Sequence, residues 1–515
     1  MQADPTNLST LGVLSLPFLI ILIGMVGLKW SALKAGTLAL LCTLPLVHLF
    51  LNISGYQLTR NILPGSVLEA TITSLSILWI IFAALCIYYA QNNSGAIQRI
   101  QFQLARLHPD PKVSALFIAW FFSMFMEGAA GFGTSAALTA PFLVAAGYRP
   151  VLAVVLALWG HSLGVAFGAV GTPVITQALL VPEPELLLTH AVLPYLVPTT
   201  FVLAIGLAWG CMRYGPNTAP AAQGDSYPQV LAYGALAAAC FLVPAMAMAY
   251  WLGPELPTLL GAVVGALLFA FFTTRGKSPS VQTESTPDTF PGSFARALAP
   301  YAILIVLVLL TRLIPDVKAA LQAIQWRAQW QGYQGSVQYL YHPGTVLFIS
   351  FVVGGLLQKQ SLHALYNAMR QAFIRVFFVF AALFVMLLLS RLLVHTGAIG
   401  LLGEQVAAIA GNWWPLWAPW FGVLGTFITG SATSSNVLFS EFQRSAAQAA
   451  GLPTPALLGS QTFGAAVGNM VCPHNIIAAG ATVNIQGQEG HVMRYTLPMA
   501  ALLTLIAGGV ALLLT

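Results

Sequence analysis

Two polar stretches interrupt long apolar segments of the chain, and their residue types favour the binding of a small anion. Each stretch would end a helix in apolar surroundings, where the unpaired N–H groups of a helix N-terminus attract anions. Glycines in one stretch let a ligand approach the backbone, and hydroxyl groups in the other supply hydrogen bonds. The alternative is that these small residues only allow tight packing of helices. The stretches are Glu127-Gly128-Ala129-Ala130-Gly131-Phe132-Gly133-Thr134 and Thr429-Gly430-Ser431-Ala432-Thr433-Ser434-Ser435-Asn436.

Three titratable side chains in or near the interruptions are candidates for carrying a proton. Ionisable groups at membrane depth are costly to bury and tend to be functional. Glu127 is the first candidate, and the alternative is a carboxylate held permanently by backbone N–H groups. His161 and His474 could each carry a proton or donate to a substrate carboxylate, or could only join two helices. Arg391 could attract an anion, although snorkelling to the membrane surface is the favoured interpretation.

The composition places these residues in a membrane protein. Hydrophobic residues make up 58% of the 515 residues and charged residues only 7%, far below the share of about 25% in soluble domains. The chain is therefore predicted to be an all-α polytopic protein embedded in a lipid bilayer. We attribute its net charge of +6 to basic residues on cytoplasmic loops and not to nucleic-acid binding.

No complete motif for a cofactor, a metal or a hydrolytic reaction occurs in the sequence. The five cysteines have no CxxC spacing. Gly276-Lys277-Ser278 resembles the end of a P-loop, but Phe271 stands where that motif needs glycine. We therefore expect no cofactor, no bound metal, no catalytic residue and no enzymatic activity.

The second half of the chain repeats the first at a shift of about 300 residues. Paired interruptions of hydrophobic segments in two halves are the best sequence pointer to the substrate site of a secondary transporter. We expect an N-terminal repeat over 1–250 and a C-terminal repeat over 251–515. Three groups of residues recur in order: Ser94-Gly95-Ala96-Ile97 as Thr396-Gly397-Ala398-Ile399, Phe125-Met126-Glu127-Gly128 as Phe427-Ile428-Thr429-Gly430, and Gly164, Gly168 and Pro173 as Gly464, Gly468 and Pro473.

Each repeat is predicted to contain a re-entrant helical hairpin followed by a broken helix. Non-helical hairpin tips are tolerated at membrane depth only when they are buried in protein or face an aqueous cavity. Proline opens a helix because it lacks a backbone donor, and the two breaks are expected at Gly171-Thr172-Pro173 and Cys472-Pro473-His474-Asn475. The four elements would surround one site near the middle of the membrane. They are the hairpins 113–147 and 413–449 and the broken helices 151–178 and 456–480.

About twelve full spans are expected besides the hairpins, and their number makes the repeat inverted. Seven of them lie between the hairpins, so the hairpins would enter from opposite faces. With the N-terminus outside, 14 of the 20 basic residues fall on the cytoplasmic side, which is the sign that the positive-inside rule requires. The spans are 11–28, 33–51, 67–90, 151–178, 186–210, 229–250, 256–273, 294–314, 343–358, 372–394, 456–480 and 493–514.

Three segments outside the spans are assigned by composition. Residues 274–293 are rich in Ser, Thr and Pro and are predicted to be a flexible cytoplasmic linker. Residues 315–342 form an outer loop whose aromatic residues suit the membrane surface. Residues 97–107 suit an amphipathic helix in the inner interface.

With these residues in view, the chain resembles the lactate permease family of bacterial secondary transporters. The resemblance implies import of L-lactate and related 2-hydroxy monocarboxylates with protons, and an ion-transporter-type fold with a mobile domain moving against a scaffold. It rests on Glu127-Gly128-Ala129-Ala130-Gly131-Phe132-Gly133, on Val165-Ala166-Phe167-Gly168-Ala169 ahead of Gly171 and Pro173, and on Gly430-Ser431 with Thr433-Ser434-Ser435-Asn436.

The chain departs from that family's pattern at several positions. The resemblance implies Asp where this chain has Ala432, and Lys where it has Asn469. We hypothesise that the two charges pair in typical members, so that losing both avoids one unpaired buried charge. Thr134-Ser135 stands where a proline is common, and His161 replaces a usual Asn.

The sequence thus predicts a symporter of a bacterial inner membrane that imports L-lactate, D-lactate or glycolate with protons. Transport of another organic anion with Na⁺ is the alternative, followed by an intramembrane enzyme or a membrane subunit of a complex; a homodimer is compatible with the sequence. Glu127, His161 and His474 are the proton-coupling candidates. The substrate-binding candidates are Gly131, Gly133, Thr134, Thr172, Ser431, Thr433, Ser434, Ser435, Asn436 and Asn475.

Overall fold

The computed structural model describes residues 8–28, 30–51, 53–105, 108, 110–131, 133–215, 227–274, 290–485 and 487–515. These residues are mostly helical, which confirms the all-α polytopic class. Phe132, at the first polar stretch, and most of the proposed linker 274–293 lie outside the described residues.

The described part of the chain up to Thr274 is built of helices alone. Four short segments with π-helical or 3₁₀ geometry join some of them: Ile23–Gly27, Leu58–Ile62, Phe117–Phe122 and Leu163–Phe167. The helices are α1 (Leu8–Leu22), α2 (Ala32–Phe50), α3 (Gly55–Gln57), α4 (Leu63–Asn93), α5 (Ala96–Ala105), α6 (Pro111–Leu116), α7 (Ser123–Ala129), α8 (Thr134–Ala145), α9 (Pro150–Ser162), α10 (Gly168–Leu180), α11 (Glu185–Arg213), α12 (Tyr227–Trp251) and α13 (Pro257–Thr274).

The described part after residue 289 adds two strands to its helices. The strands pair antiparallel, with Trp326 opposite Val337 and Trp330 opposite Tyr333. The elements are α14 (Phe294–Ala297), α15 (Ala299–Leu313), α16 (Pro315–Ala323), β1 (Trp326–Trp330), β2 (Tyr333–Val337), α17 (Pro343–Leu357), α18 (Leu362–His395), α19 (Ala398–Ala410), α20 (Trp414–Thr429), α21 (Ala432–Ala449), α22 (Thr454–Gly468), α23 (Pro473–Thr482) and α24 (Glu489–Leu514).

Eight helices in the described ranges are long and apolar enough to cross a membrane. A ninth crossing results if the two parts of α18, which meet at a bend of 40°, are counted as one span. Each predicted span coincides with one of the helices above or with a pair of them. The number of full crossings and the re-entrant character of the hairpins stay predictions, because four further apolar helices are short: Gly12–Met25, Thr134–Ala145, Ala299–Leu313 and Pro343–Leu357.

The first hairpin, formed by α6 to α8, turns where the glycine-rich stretch was expected to turn it. Helix α7 ends at Ala129 and α8 begins at Thr134. Between them Gly131 and Gly133 have φ values of +61° and +73°, a left-handed conformation that costs glycine little. The polar stretch therefore forms the tip of the hairpin.

The second hairpin, formed by α20 and α21, turns at one glycine. Gly430 has a φ of +78° and separates Thr429, the last residue of α20, from Ser431. Ser431 is the N-cap of α21, since its Oγ accepts a hydrogen bond of 3.3 Å from the N–H of Ser434. The hydroxyl-rich stretch thus supplies both the turn and the start of a helix.

The two broken helices open in different ways. In the first, which combines α9 and α10, three successive residues are left-handed: Ala169 (φ 43°), Val170 (φ 54°) and Gly171 (φ 78°). Left-handed backbone at a β-branched valine is strained. In the second, α22 and α23 are separated at residues 469–472, where Cys472 is extended and Pro473 starts the next helix.

Two elements were not expected from the sequence. Residues 326–337, within the proposed outer loop, form the β-hairpin, and Tyr333 in it packs edge-on against the ring of His395. Helix α19 follows α18 just as α5 follows α4, and Gly95 and Gly397, at the two junctions, both have positive φ. The amphipathic helix predicted over 97–107 is α5, although Arg106 and Leu107 lie outside the described residues.

Glycine lets each broken helix touch the backbone of its own hairpin. Gly160 of α9 lies against the carbonyl oxygen of Ala119, and Gly464 of α22 lies against the carbonyl oxygen of Pro419. A side chain at either glycine would overlap those backbone atoms. The hairpins and broken helices are therefore fixed to each other at backbone contact distance.

We expect Gly160→Ala to lower the melting temperature of the purified protein. The added methyl group would overlap the carbonyl oxygen of Ala119, and overpacking of this kind costs roughly 1–3 kcal/mol. Gly509→Ala in α24 is the matched control, since a Cβ there meets nothing within 4 Å. Equal melting temperatures of the two variants in detergent would contradict this packing.

Candidate substrate site

The two hairpins and the two broken helices meet around one small cavity. It contains about 300 Å³ of unfilled space, part of it open to solvent. Five of the predicted site residues line it: Glu127, Gly131, Thr172, Ser431 and Thr433. The other lining residues are Val165, Gly168, Ala169, Pro173, Gly430, Ala432 and Asn469.

Glu127 is the one ionisable side chain in this lining. It is 2% exposed, and its Oε2 accepts a hydrogen bond of 2.7 Å from the hydroxyl of Ser135. Its Oε1 lies close to the backbone of Gly131 and Gly168, because a Cβ built on those glycines would stand 3.5 Å and 2.6 Å from that oxygen. Space for the carboxyl group therefore depends on glycine at position 168.

The N-terminus of α21 faces the same cavity. The first N–H groups of a helix have no partner within it. In α21 the N–H of Ser434 is bonded by Ser431 Oγ, and that of Ser435 by the Ser431 carbonyl. This leaves the N–H groups of Ala432 and Thr433, both of which line the cavity, for a ligand. A helix N-terminus of this kind favours negative charge.

Two polar residues of the breaks complete the lining. The hydroxyl of Thr172 donates to the carbonyl oxygen of Ala169 at 2.5 Å and so closes the left-handed turn. Asn469 is 5% exposed, and its Oδ1 accepts a hydrogen bond from Asn475 Nδ2. The amide of Asn469 thus reaches the cavity with its orientation fixed by Asn475.

Several predicted binding residues lie near the cavity without lining it. Thr134 donates to the carbonyl oxygen of Gly131 at 2.7 Å. Ser435 donates to the carbonyl oxygen of Gly422 at 2.9 Å, within the second hairpin. Ser434, Asn436, Gly133 and Asn475 are likewise outside the lining.

Two contacts between the halves explain where Asn436 and Asn475 point. Asn436 Nδ2 donates to the carbonyl oxygen of Pro173 at 3.0 Å, so the second hairpin holds the first broken helix. The Oδ1 of Asn475, in the second broken helix, lies against Gly133 in the tip of the first hairpin. Each hairpin is therefore held by the broken helix of the other half.

The two histidine candidates occupy different surroundings. His161 is fully buried, and its Nδ1 lies 2.9 Å from the carbonyl oxygen of Ala157, so that nitrogen carries the hydrogen. Its Nε2 has no hydrogen-bond partner among the described residues. His474 is exposed and lies behind Gly430, at the edge of the cavity.

Arg391 does not snorkel to the membrane surface. It is 8% exposed, and its guanidinium donates to the last carbonyl groups of α10, those of Leu179 and Leu180, at 2.9 and 3.2 Å. Its Nε lies 3.8 Å from a carboxylate oxygen of Glu69, which also contacts His395 Nε2 at 2.7 Å. No sequence pattern indicates this partner, because Leu179 and Arg391 are far apart in the chain.

Sequence reasoning missed most of the small residues in the lining. Val165, Gly168, Ala169 and Pro173 are parts of sequence motifs but are not among the predicted binding residues. Ala432 and Asn469 stand out in the sequence only as departures from a family pattern. Gly168 and Pro173 recur as Gly468 and Pro473 in the second half, and this repetition is the sequence feature that could have identified them as lining residues.

The fold and the cavity define the class of the protein. It is a polytopic α-helical membrane protein in which interrupted helices surround one cavity that contains a carboxyl group, hydroxyl groups and an amide, an arrangement typical of membrane transporters. The sequence model of the L-lactate permease family matches residues 11–515, and the chain belongs to that family.

Individual relatives are distant but match over most of their length. The chain is 27% identical to a putative L-lactate permease of Haemophilus influenzae, over 84% of this chain and 86% of that one. It is 26% identical to the L-lactate permease of Escherichia coli strain K12 over 96% and 94%, and 26% identical to the glycolate permease GlcA of the same strain over 85% and 84%. The crystal structure of the YdaH transporter of Alcanivorax borkumensis is similar in fold, with a TM-score of 0.50 and 15% identity over 90% of this chain and 89% of that one.

Gly168→Ala tests the space around Glu127. The backbone of Gly168 (φ −68°, ψ 159°) accepts any residue, but the new methyl carbon would stand 2.6 Å from Glu127 Oε1. We expect transport to fall at least tenfold, since displacement by about 1 Å can cost two orders of magnitude in a site. The assay is uptake of labelled substrate by reconstituted protein, with Gly400→Ala, where a Cβ meets nothing within 4 Å, as control. Unchanged uptake by Gly168→Ala would show that the carboxyl group is not held where described.

Proposed function

We propose that this protein is a secondary active transporter that imports a small monocarboxylate together with a proton. The observation that carries the proposal is the cavity in which Glu127 is the single ionisable side chain and the N-terminus of α21 offers N–H groups. The family and the L-lactate and glycolate permeases among its relatives support L-lactate, D-lactate or glycolate as substrate.

The charge of the lining supports proton coupling. No basic side chain lines the cavity, so an anionic substrate would meet an ionised Glu127 without compensation. Two like charges about 4 Å apart repel by about 4 kcal/mol at an effective dielectric of about 20, which is roughly a thousandfold in affinity. A proton on Glu127 removes this repulsion. Anion and proton therefore favour each other's binding by the same factor, as linkage requires.

The proposed substrate contacts follow from the open groups of the site. The carboxylate sits at the N–H groups of Ala432 and Thr433, beside the Thr433 hydroxyl. The 2-hydroxyl group of the substrate bonds to the amide of Asn469. Ser431 and Gly131 shape the site through their backbone. Gly133, Thr134, Thr172, Ser434, Ser435, Asn436 and Asn475 hold the tips and breaks in place.

The proton route is proposed to include a histidine. His161 is buried with a bare Nε2 and interacts electrostatically with Glu127, so it is the candidate for exchanging a proton with that carboxyl group. His474 is exposed at the edge of the cavity and is the candidate for exchange with solvent.

The transport cycle is proposed to use two inverted repeats, 1–250 and 251–515, in a bacterial inner membrane. About twelve full spans and two re-entrant hairpins make the crossing count consistent with the positive-inside rule. The backbone contacts between hairpins and broken helices support their movement as one body around the substrate.

Glu127→Gln should separate substrate movement from proton coupling. Glutamine imitates the protonated carboxyl group, so we expect exchange of labelled lactate for unlabelled lactate across proteoliposomes to persist. Accumulation driven by an imposed pH gradient should fall at least tenfold, because Gln cannot release a proton. Glu404→Gln, at an exposed position of α19, is the control.

Two results would overturn the proposal. Full accumulation by Glu127→Gln under a pH gradient would exclude Glu127 as the coupling group. Absence of uptake with any small carboxylate in the unaltered protein would exclude the transporter itself. A Na⁺ gradient in place of the pH gradient tests the alternative coupling ion.

The pair Ala432 and Asn469 offers a test of charge in the lining. Both residues line the cavity, Ala432 at the start of α21 in the second hairpin and Asn469 just after α22 in the second broken helix. A single new charge there, as in Ala432→Asp or Asn469→Lys, is buried without a partner and should reduce folded yield and uptake by severalfold or more. The double variant should recover part of the loss, because the charges can pair. Losses that simply multiply in the double variant would rule out pairing across the cavity.

A further inference from the structure

A second group of buried charges lies away from the cavity, where α11, α13 and α15 come together. Glu255, in the connection before α13, is 1% exposed. Its Oε1 accepts two hydrogen bonds from Arg312, at the end of α15, of 2.9 Å from Nε and 2.5 Å from Nη2. The guanidinium also lies 3.7 Å from the centre of the Tyr341 ring. Nη1 and Nη2 of Arg312 also donate to the carbonyl oxygen of Tyr341 at 3.4 Å, so Arg312 binds only one of the two oxygens of Glu255.

The other oxygen of Glu255 is buried and has no hydrogen-bond partner among the described residues. Leaving a buried charged oxygen unsatisfied is costly. A second carboxyl group, that of Glu185 at the start of α11, lies in the same region. A Cβ built on Gly253 would stand 3.2 Å from Glu255 Oε2 and 3.8 Å from Glu185 Oε1, so the two oxygens are at most 7.0 Å apart.

The surrounding groups do not neutralise both carboxylates. Lys318 interacts with Glu185 but is exposed to solvent, which screens its charge. His342 accepts a hydrogen bond from the N–H of Gly344 on Nδ1 and contacts Ser76 Oγ at 2.7 Å through Nε2, so its ring is neutral. Glu255 and Arg312 are buried, whereas Glu185 is only half-buried. The three groups together carry two negative charges against the one positive charge of Arg312.

We propose that Glu185 and Glu255 bind one proton between them, as a second proton-binding site distinct from Glu127. The proton converts one carboxylate to a carboxylic acid, which then donates a hydrogen bond to the other. Both the unsatisfied oxygen and the excess negative charge are removed by this one step. Arg312 belongs to the end of α15, Glu185 to the start of α11 and Glu255 to the connection before α13, so the proton changes the charge where these three segments meet.

Infrared spectroscopy of the reconstituted protein tests the site directly. The C=O stretching band of a protonated carboxyl group is followed from about pH 5 to pH 9, where ordinary carboxyl groups are ionised. Glu127→Gln serves as parent, so that the substrate cavity contributes no carboxyl signal. In this parent, Glu185→Gln and Glu255→Gln should each remove the C=O band of the protonated carboxyl group of the pair. Glu404→Gln, at an exposed position, should leave that band unchanged.

The outcomes separate this site from the proposed transport function. Loss of the band in Glu185→Gln supports the pair even if no substrate is transported. An unchanged band in both variants overturns the pair whatever the uptake assays show. Should Glu255→Gln fail to fold because it weakens the contact with Arg312, Glu185→Gln alone decides, since Glu185 has no hydrogen bond to Arg312 among the described residues.

Discussion

The structure depends on hydrogen-bond partners for the backbone N–H and C=O groups that the broken helices leave unpaired inside an apolar protein. At the start of α10 the Thr172 hydroxyl closes the turn, and Asn436 of the other half binds the carbonyl oxygen of Pro173. At its end Arg391 binds the carbonyl groups of Leu179 and Leu180. An unpaired buried carbonyl costs about 1–3 kcal/mol, so α10 is stable only where the second half meets it. The cavity exists because this arrangement holds both ends of a short helix.

The two hairpins contribute unequal chemistry to that cavity. The first brings a carboxyl group close against Gly168, and the second brings the open N–H groups of α21. In the proposed function, the carboxyl group responds to protons and the helix N-terminus attracts the anion. Two identical hairpins would supply only one of these two functions, so proton and anion could not be coupled. The proposed coupling therefore depends on the chemical difference between the two hairpins.

The four elements around the cavity could be predicted from the sequence, but the direction of several side chains could not. Polar stretches and recurring glycines in apolar surroundings identified the four elements, because such residues are improbable at membrane depth without a purpose. Within α21, Thr433 faces the cavity while Ser435 and Asn436 face neighbouring helices. The face of a short helix that points into the cavity depends on the rotation of the helix about its own axis. That rotation is determined by the preceding turn and by packing against neighbouring helices.

Long-range partners were also beyond the sequence. Arg391 was expected to snorkel because long basic side chains near helix ends usually do. The α10 carbonyl groups that it binds instead lie more than two hundred residues away. The β-hairpin at residues 326–337 was hidden for a different reason, since its aromatic residues also suit a membrane surface. The composition of a segment indicates whether it lies in the membrane, at its surface or in water, but it does not determine which strands or side chains pair.

Buried charge distinguishes Glu127 from the other acidic residues in the described ranges. Glu255 has Arg312 on one of its oxygens, and Glu441 lies 3.5 Å from Arg444, so each of these buried carboxyl groups has a cation beside it. Glu127 is as deeply buried, but its hydrogen bond comes from the neutral hydroxyl of Ser135. A hydroxyl group can donate to a carboxylate or accept from a carboxylic acid, so either state of Glu127 keeps the bond. The residue that we propose changes charge during transport is thus the one whose hydrogen-bond partner tolerates the change.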